Sequence, residues 1–159
     1  MKIKELAMVA ILATMVSCGS GASNTENEAA TVDEVTEQTE ENSVVIEADK
    51  AKVEEFIAVS ANGEIKAKGE KPVVIDFNAT WCGPCRAFSP VFHQVASQMA
   101  SRAVFLSVDT DKCPETAEAF GVTSIPNISV VHPDGTIDTH VGYMELEEFV
   151  EVLNKSLDK

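Results

Sequence analysis

The stretch Val73-Val74-Ile75-Asp76-Phe77-Asn78-Ala79-Thr80-Trp81-Cys82-Gly83-Pro84-Cys85 decides the fold. From Val73 to Asn78 the chain is almost continuously apolar, the mark of a central strand covered on both faces, and Asp76 alone breaks the run. Immediately afterwards the period changes. Phe88, Val91, Phe92, Val95 and Met99 recur at helical spacing, so Cys85 to Ser101 reads as a long helix, which Pro90 is expected to kink. The two cysteines therefore stand where a buried strand turns into a helix.

On either side of this stretch, strand and helix patterns alternate. Val44 to Ile46 reads as a short strand, and Asp49 to Ser60 as a helix with Val53, Phe56 and Ile57 on one face, stopped at Asn62-Gly63. Val104 to Val108 is a second buried strand. Pro114 to Phe120 is a short helix with proline in its first turn and Gly121 after its last residue. Asn127 to His132 and Thr136 to Val141 flank Pro133-Asp134-Gly135 and pair as an antiparallel hairpin. Glu145 to Leu157 closes the chain as an amphipathic helix with Leu146, Phe149, Val150 and Leu153 inward. Strands covered by helices make the class α/β or α+β.

The segment before this domain has a different character. Lys2 and Lys4 precede an apolar run from Leu6 to Val16, too short for a mature membrane span and of the length of a signal-peptide core, so export is expected with residues 1–17 removed. Ser17-Cys18-Gly19 at its end resembles a bacterial lipoprotein processing site, which makes Cys18 the expected lipidation residue and membrane anchor. Residues 18–43 contain Glu26, Glu28, Asp33, Glu34, Glu37, Glu40 and Glu41 with no basic or aromatic residue, a disordered acidic tether with a span of roughly 25 to 30 Å. Localisation is expected in the cell envelope or periplasm. The whole chain of 159 residues carries a formal charge of −14, which argues against nucleic-acid partners.

A helix N-terminus offers unpaired N–H groups and a favourable dipole, so a thiol there is biased towards thiolate. Cys82 takes that position and is the expected nucleophile; Cys85, one turn inside, is the expected resolving thiol. Other uses of the pair fit less well. No second Cys-x-x-Cys follows to complete a zinc site, and Arg86 stands where haem attachment requires histidine. A purely structural disulfide would close a very short loop and stabilise little. No metal and no bound cofactor is expected. Cys113, before Pro114, reads as a spare thiol.

Cys82-Gly83-Pro84-Cys85 with Trp81 before it, Asp76 in the preceding strand, Arg86 after it, Pro90 in the helix, Ile125-Pro126 and Gly142 together resemble the thioredoxin family, and the resemblance spans residues 44–159. It implies the thioredoxin fold, an α/β domain with a mixed central sheet of about five strands flanked by helices on both faces. It also implies a cis peptide before Pro126 packed on the active disulfide, and a substrate segment hydrogen-bonded to the backbone of Ile125. Trp81, Gly83, Pro84, Ile125, Pro126 and Gly142 are then substrate-binding residues, and Asp76 moves a proton to or from Cys85. Two departures are visible: Asn127 replaces the usual threonine, and Ser107 stands where family members place a lysine near the acid.

The implied activity is thiol–disulfide exchange on disulfide-containing exported proteins. Electrons would come from a separate protein donor, a membrane thiol reductase or a thioredoxin reductase. A disulfide oxidase or isomerase, and a non-catalytic binding module of the same fold, are the alternatives.

Overall fold

The computed structural model describes residues 43–159, so the expected signal segment, Cys18 and nearly all of the acidic tether lie outside the described residues. Chain order is β1 (Val45–Glu47), α1 (Lys50–Phe56), β2 (Ile57–Val59), β3 (Ile65–Ala67), β4 (Val73–Asn78), α2 (Gly83–Met99), β5 (Val104–Asp109), α3 (Pro114–Ala119), β6 (Asn127–Val131), β7 (Ile137–Val141) and α4 (Leu146–Leu157). Five strands form one sheet in the order β1-β5-β4-β6-β7. β1, β5 and β4 run parallel, and β6 and β7 are antiparallel to their neighbours. The sheet is thus mixed, with β4 at its centre.

Alternation along β4 explains both faces. Val74 enters a core with Phe88, Phe92, Phe105, Phe149 and Leu153, beneath α2 and α4. Val73, Ile75 and Phe77 enter a second core with Val53, Leu106, Val108 and Ala117, beneath α1 and α3. The Phe88 and Phe149 rings meet edge to face at 5.0 Å and join α2 to α4. Asp76 and Asn78 share the α2 side with Val74, and on β5 Ser107, paired in register with Asp76, shares it with Phe105.

One local expectation requires correction. The helix read as Asp49 to Ser60 is capped by Asp49, whose side chain accepts from Lys52 N at 2.8 Å, but it ends at Phe56. Ile57 is extended (φ −117°, ψ 132°), and Ile57–Val59 pairs antiparallel with Ile65–Ala67. Asn62-Gly63 therefore belongs to a hairpin connection, with Gly63 at φ +82°, rather than to a helix stop. β-Branched residues at Ile57 and Val59, facing a chain with Ile65 and Ala67 buried, gain more from strand pairing than from another helical turn. α2 runs as one helix through Pro90, as the long helical reading of this stretch expects. Pro90 is exposed and lacks the N–H that would serve the Arg86 carbonyl, so its ring can occupy the solvent side.

Candidate functional site

The site lies at the carboxyl end of β4. Cys82 is the N-cap of α2 and its backbone is extended; Cys82 Sγ accepts from Cys85 N at 3.2 Å. Pro84, in the first turn, gives up an N–H that has no partner within the helix. Cys82 and Cys85 are joined as a disulfide, with Cα atoms 5.3 Å apart. Both residues are buried, whereas Gly83 and Pro84 between them are exposed.

Around the disulfide the remaining predicted residues converge. The Ile125–Pro126 peptide is cis. Cys82 Sγ lies 4.0 Å from the Ile125 carbonyl, and Ile125 packs on the Ala79, Cys82 and Cys85 cluster. Gly142 N donates to the Pro126 carbonyl at 2.8 Å, tying the end of β7 to this loop. Gly142 has φ +104°, a conformation that disfavours a side chain, while no atom of the described residues approaches the place its Cβ would take. The backbone conformation, rather than crowding within the chain, calls for glycine there.

An open cleft of about 500 Å³ runs past Trp81, Cys82, Pro84, Thr110, Val122 and Ile125. Trp81 is 67% exposed, and its indole Nε1 donates to Asp111 Oδ2 at 2.7 Å, so the ring is held at the rim rather than packed inside. Arg86 is turned back on the loop, its Nη1 donating to the Thr80 carbonyl at 2.9 Å. Asp111, Thr110 and Val122 were not singled out in the sequence. The only local cue was the placement of Thr110-Asp111 just after a buried strand, next to β4 in the sheet.

A second cavity, of about 180 Å³, is bordered by Asp76, Asn78, Cys85, Ser107, Glu47 and His93. Asp76 is 3% exposed. Burial pushes its carboxyl up to about 7, the Asn78 amide pulls it down, and the charge of Glu47 pushes it further up. The cleft therefore meets Cys82 and the cavity meets Cys85 with Asp76: the two sulfurs of one disulfide face different surroundings.

The other titratable candidates stand apart. Cys113 caps the start of α3 without a side-chain capping bond and sits in the α1–α3 core, its thiol donating to the Ala48 carbonyl at 3.8 Å. Burial pushes this thiol up from its ordinary value. His93 is exposed. His140 is partly exposed, with Nε2 buried and without a partner among the described residues. His132 is buried, with Nε2 3.2 Å from Asp138 Oδ2.

Comparison with known proteins agrees with this geometry. The family model described as Thioredoxin matches residues 52–155. The chain is 36% identical over 86 residues to thioredoxin of Borreliella burgdorferi, covering 54% of this chain and 74% of that one. It is 40% identical over 83 residues to thioredoxin of Listeria monocytogenes, covering 52% and 81%. With thioredoxin H-type of Chlamydomonas reinhardtii it shares 42% over 79 residues, covering 48% and 70%. Among solved structures, chloroplastic thioredoxin z superposes with a TM-score of 0.60 at 22% identity, over 72% of this chain and 94% of that one, a likeness of fold. The chain belongs to the thioredoxin family of thiol–disulfide oxidoreductases.

Proposed function

We propose that the protein is an exported, lipid-anchored thioredoxin that reduces or exchanges disulfides of other envelope proteins through Cys82 and Cys85. The observation that carries this reading is the division of the disulfide between two surfaces, with Cys82 on the open cleft and Cys85 beside the buried acid. In the reduced protein the Cys82 thiolate, favoured by the Cys85 N–H and the start of α2, attacks one sulfur of a substrate disulfide. That sulfur bonds to Cys82, and the other leaves as a thiolate and takes up a proton from water. Cys85 then gives its proton to the Asp76 carboxylate and attacks Cys82 Sγ, expelling the second substrate thiol. Two electrons have passed to the substrate, and the enzyme is left as the Cys82–Cys85 disulfide. A separate protein thiol returns those electrons, and no bound cofactor takes part.

The cleft suits an extended peptide. Its floor at Ile125 presents backbone groups beside the disulfide, its rim carries the Trp81 ring, and Gly142 leaves the approach beside Pro126 free of a side chain. Export and anchoring rest on Lys2, Lys4, the apolar run to Val16 and Ser17-Cys18-Gly19, with residues 18–43 as the spacer that carries the domain clear of the membrane. The place of action is then the cell envelope.

Redox titration in glutathione or dithiothreitol buffers, followed through the fluorescence of Trp81, tests the direction of transfer. A potential near about −270 mV is the expected outcome for a reductant, and one above about −180 mV would reassign the protein as an oxidase or isomerase. Cys85→Ser should trap envelope substrates on Cys82 as mixed disulfides. Intact mass from membrane extracts reads the anchor: a lipid adduct on Cys18 is expected, and an unmodified chain rejects it.

A further inference from the structure

Asn78 occupies the last position of β4, half-buried, on the same face as Asp76 and Ser107. Its Nδ2 lies 3.1 Å from Ser107 Oγ, 3.3 Å from Asp76 Oδ2 and 3.2 Å from the Asp76 carbonyl. Two hydrogens thus serve three acceptors on two neighbouring strands. Asp76 Oδ1, by contrast, is buried and has no hydrogen-bond partner among the described residues. A buried carboxyl oxygen without a partner is costly unless its site uses it.

We propose that Asn78 is a positioning residue for proton transfer: its amide ties Asp76 Oδ2 to Ser107 and leaves Oδ1 as the oxygen that exchanges a proton within the cavity shared with Cys85. The inference deepens the proposed function and rests on Asp76 receiving the Cys85 proton. The clamp acts in two ways. An N–H aimed at Oδ2 opposes a proton there and so directs protonation to Oδ1. The same bond favours the ionised carboxyl, partly offsetting burial, so that Asp76 is deprotonated often enough near neutrality to accept a proton. Ser107 completes the clamp as an uncharged acceptor, which lets a serine stand beside the acid without a cation.

Other groups facing Asp76 are few. Glu47 of β1, and Arg86 and His93 of α2, border the cavity together with Cys85. Arg86 is engaged with Thr80, and on the far side β6 pairs with β4 through Asn127, Ile128 and Ser129, none of them charged. A change at Asn78 should therefore reach the reaction through Asp76.

The experiment combines Asn78→Ala, Ser107→Ala and Asp76→Asn. Resolution is followed by single-turnover release from a Cys82 mixed disulfide between pH 5 and 9, and the Asp76 carboxyl is titrated by carbon NMR in the oxidised protein. Asn78→Ala is expected to move the Asp76 titration and the midpoint of the resolution profile upward together, by about one pH unit for the loss of one charge-assisted bond. Ser107→Ala should move both the same way by less, and Asn78→Ala should have no effect on the profile once Asp76→Asn is present. An unmoved titration and profile in Asn78→Ala, with only a lower melting temperature, would overturn the proposal and leave Asn78 a purely structural residue. If Asp76→Asn itself leaves the profile unchanged, Asp76 is outside the reaction and the clamp has no catalytic use, while exchange at Cys82 still stands.

Discussion

Two parallel strands of the sheet, β4 and β5, are each followed by a cysteine that caps a helix with proline in its first turn, and Cys82 and Cys113 are equally buried at 4% exposure. Their surroundings nevertheless point to opposite chemistry. Cys82 Sγ turns towards its helix and accepts the Cys85 N–H, whereas Cys113 turns away and donates to Ala48 of the β1–α1 connection. The start of a helix thus favours a thiolate only where the sulfur faces the free amides. Cys82 also borders an open cleft and has a second thiol one turn away, while Cys113 is packed among apolar side chains of α1, β4 and β5. Position in the fold is shared; orientation and access are not.

The largest difference between the two thiols is expected in activity. Cys82→Ser is expected to bring reduction of a disulfide-linked fluorogenic peptide down to background, and Cys113→Ser to leave it within about twofold, since only the first thiol starts exchange. Initial rates on the two purified variants decide the matter. Comparable losses in both would mean that orientation and access have been misjudged as guides to reactivity.

What lies beneath each thiol gives the next largest effect. Asp76 borders the cavity at Cys85, and its folded carboxyl, at about 7, is well above the ordinary value of 3.8. Between those values the folded state binds more protons than the unfolded one, so stability falls as pH rises from about 4 to about 7 and is level above that window. Three units correspond to about 4 kcal/mol. Urea unfolding of the oxidised protein should show Asp76→Asn gaining on the unmutated chain across that window, by up to about 4 kcal/mol at pH 8. A gap that does not widen with pH would remove the buried charge as its cause.

Sequence patterns revealed most of this arrangement because the decisive signals are local. Val73 to Asn78 has one reading, and Cys82 and Cys85 fall at the strand-to-helix turn that gives them their geometry. The five strands of the main sheet were all legible from β-branched runs. The β2–β3 hairpin was missed because Val53, Phe56 and Ile57 also satisfy a helical spacing. Asn62-Gly63 between Ile57-Ala58-Val59 and Ile65-Lys66-Ala67 was the available hairpin cue. Asn78 and Asp111 were invisible for a different reason. Their partners, Asp76 with Ser107 and the Trp81 indole, are brought to them by strand register and by the fold of a loop, neither of which composition encodes.

Changes at Cys113 itself are expected to be modest. Its thiol fills space between α1 and α3 and makes one weak bond to Ala48, so Cys113→Ala removes a sulfur from a packed core and is expected to cost about 1 kcal/mol. The potential of the Cys82–Cys85 couple should stay where it was, because that disulfide packs with Ala79 and Ile125 in a cluster that does not include Cys113. Alkylation adds the kinetic half of the argument. In the folded, reduced protein the peptide containing Cys113 should label at least about a hundredfold more slowly than that containing Cys82, since a raised thiol and a closed core both suppress attack. Urea should bring the two rates together, as neither thiol then has a helix or a core around it. Equal rates in the folded protein would show that the α1–α3 core opens easily, and Cys113 would then count as a second accessible thiol rather than part of the packing.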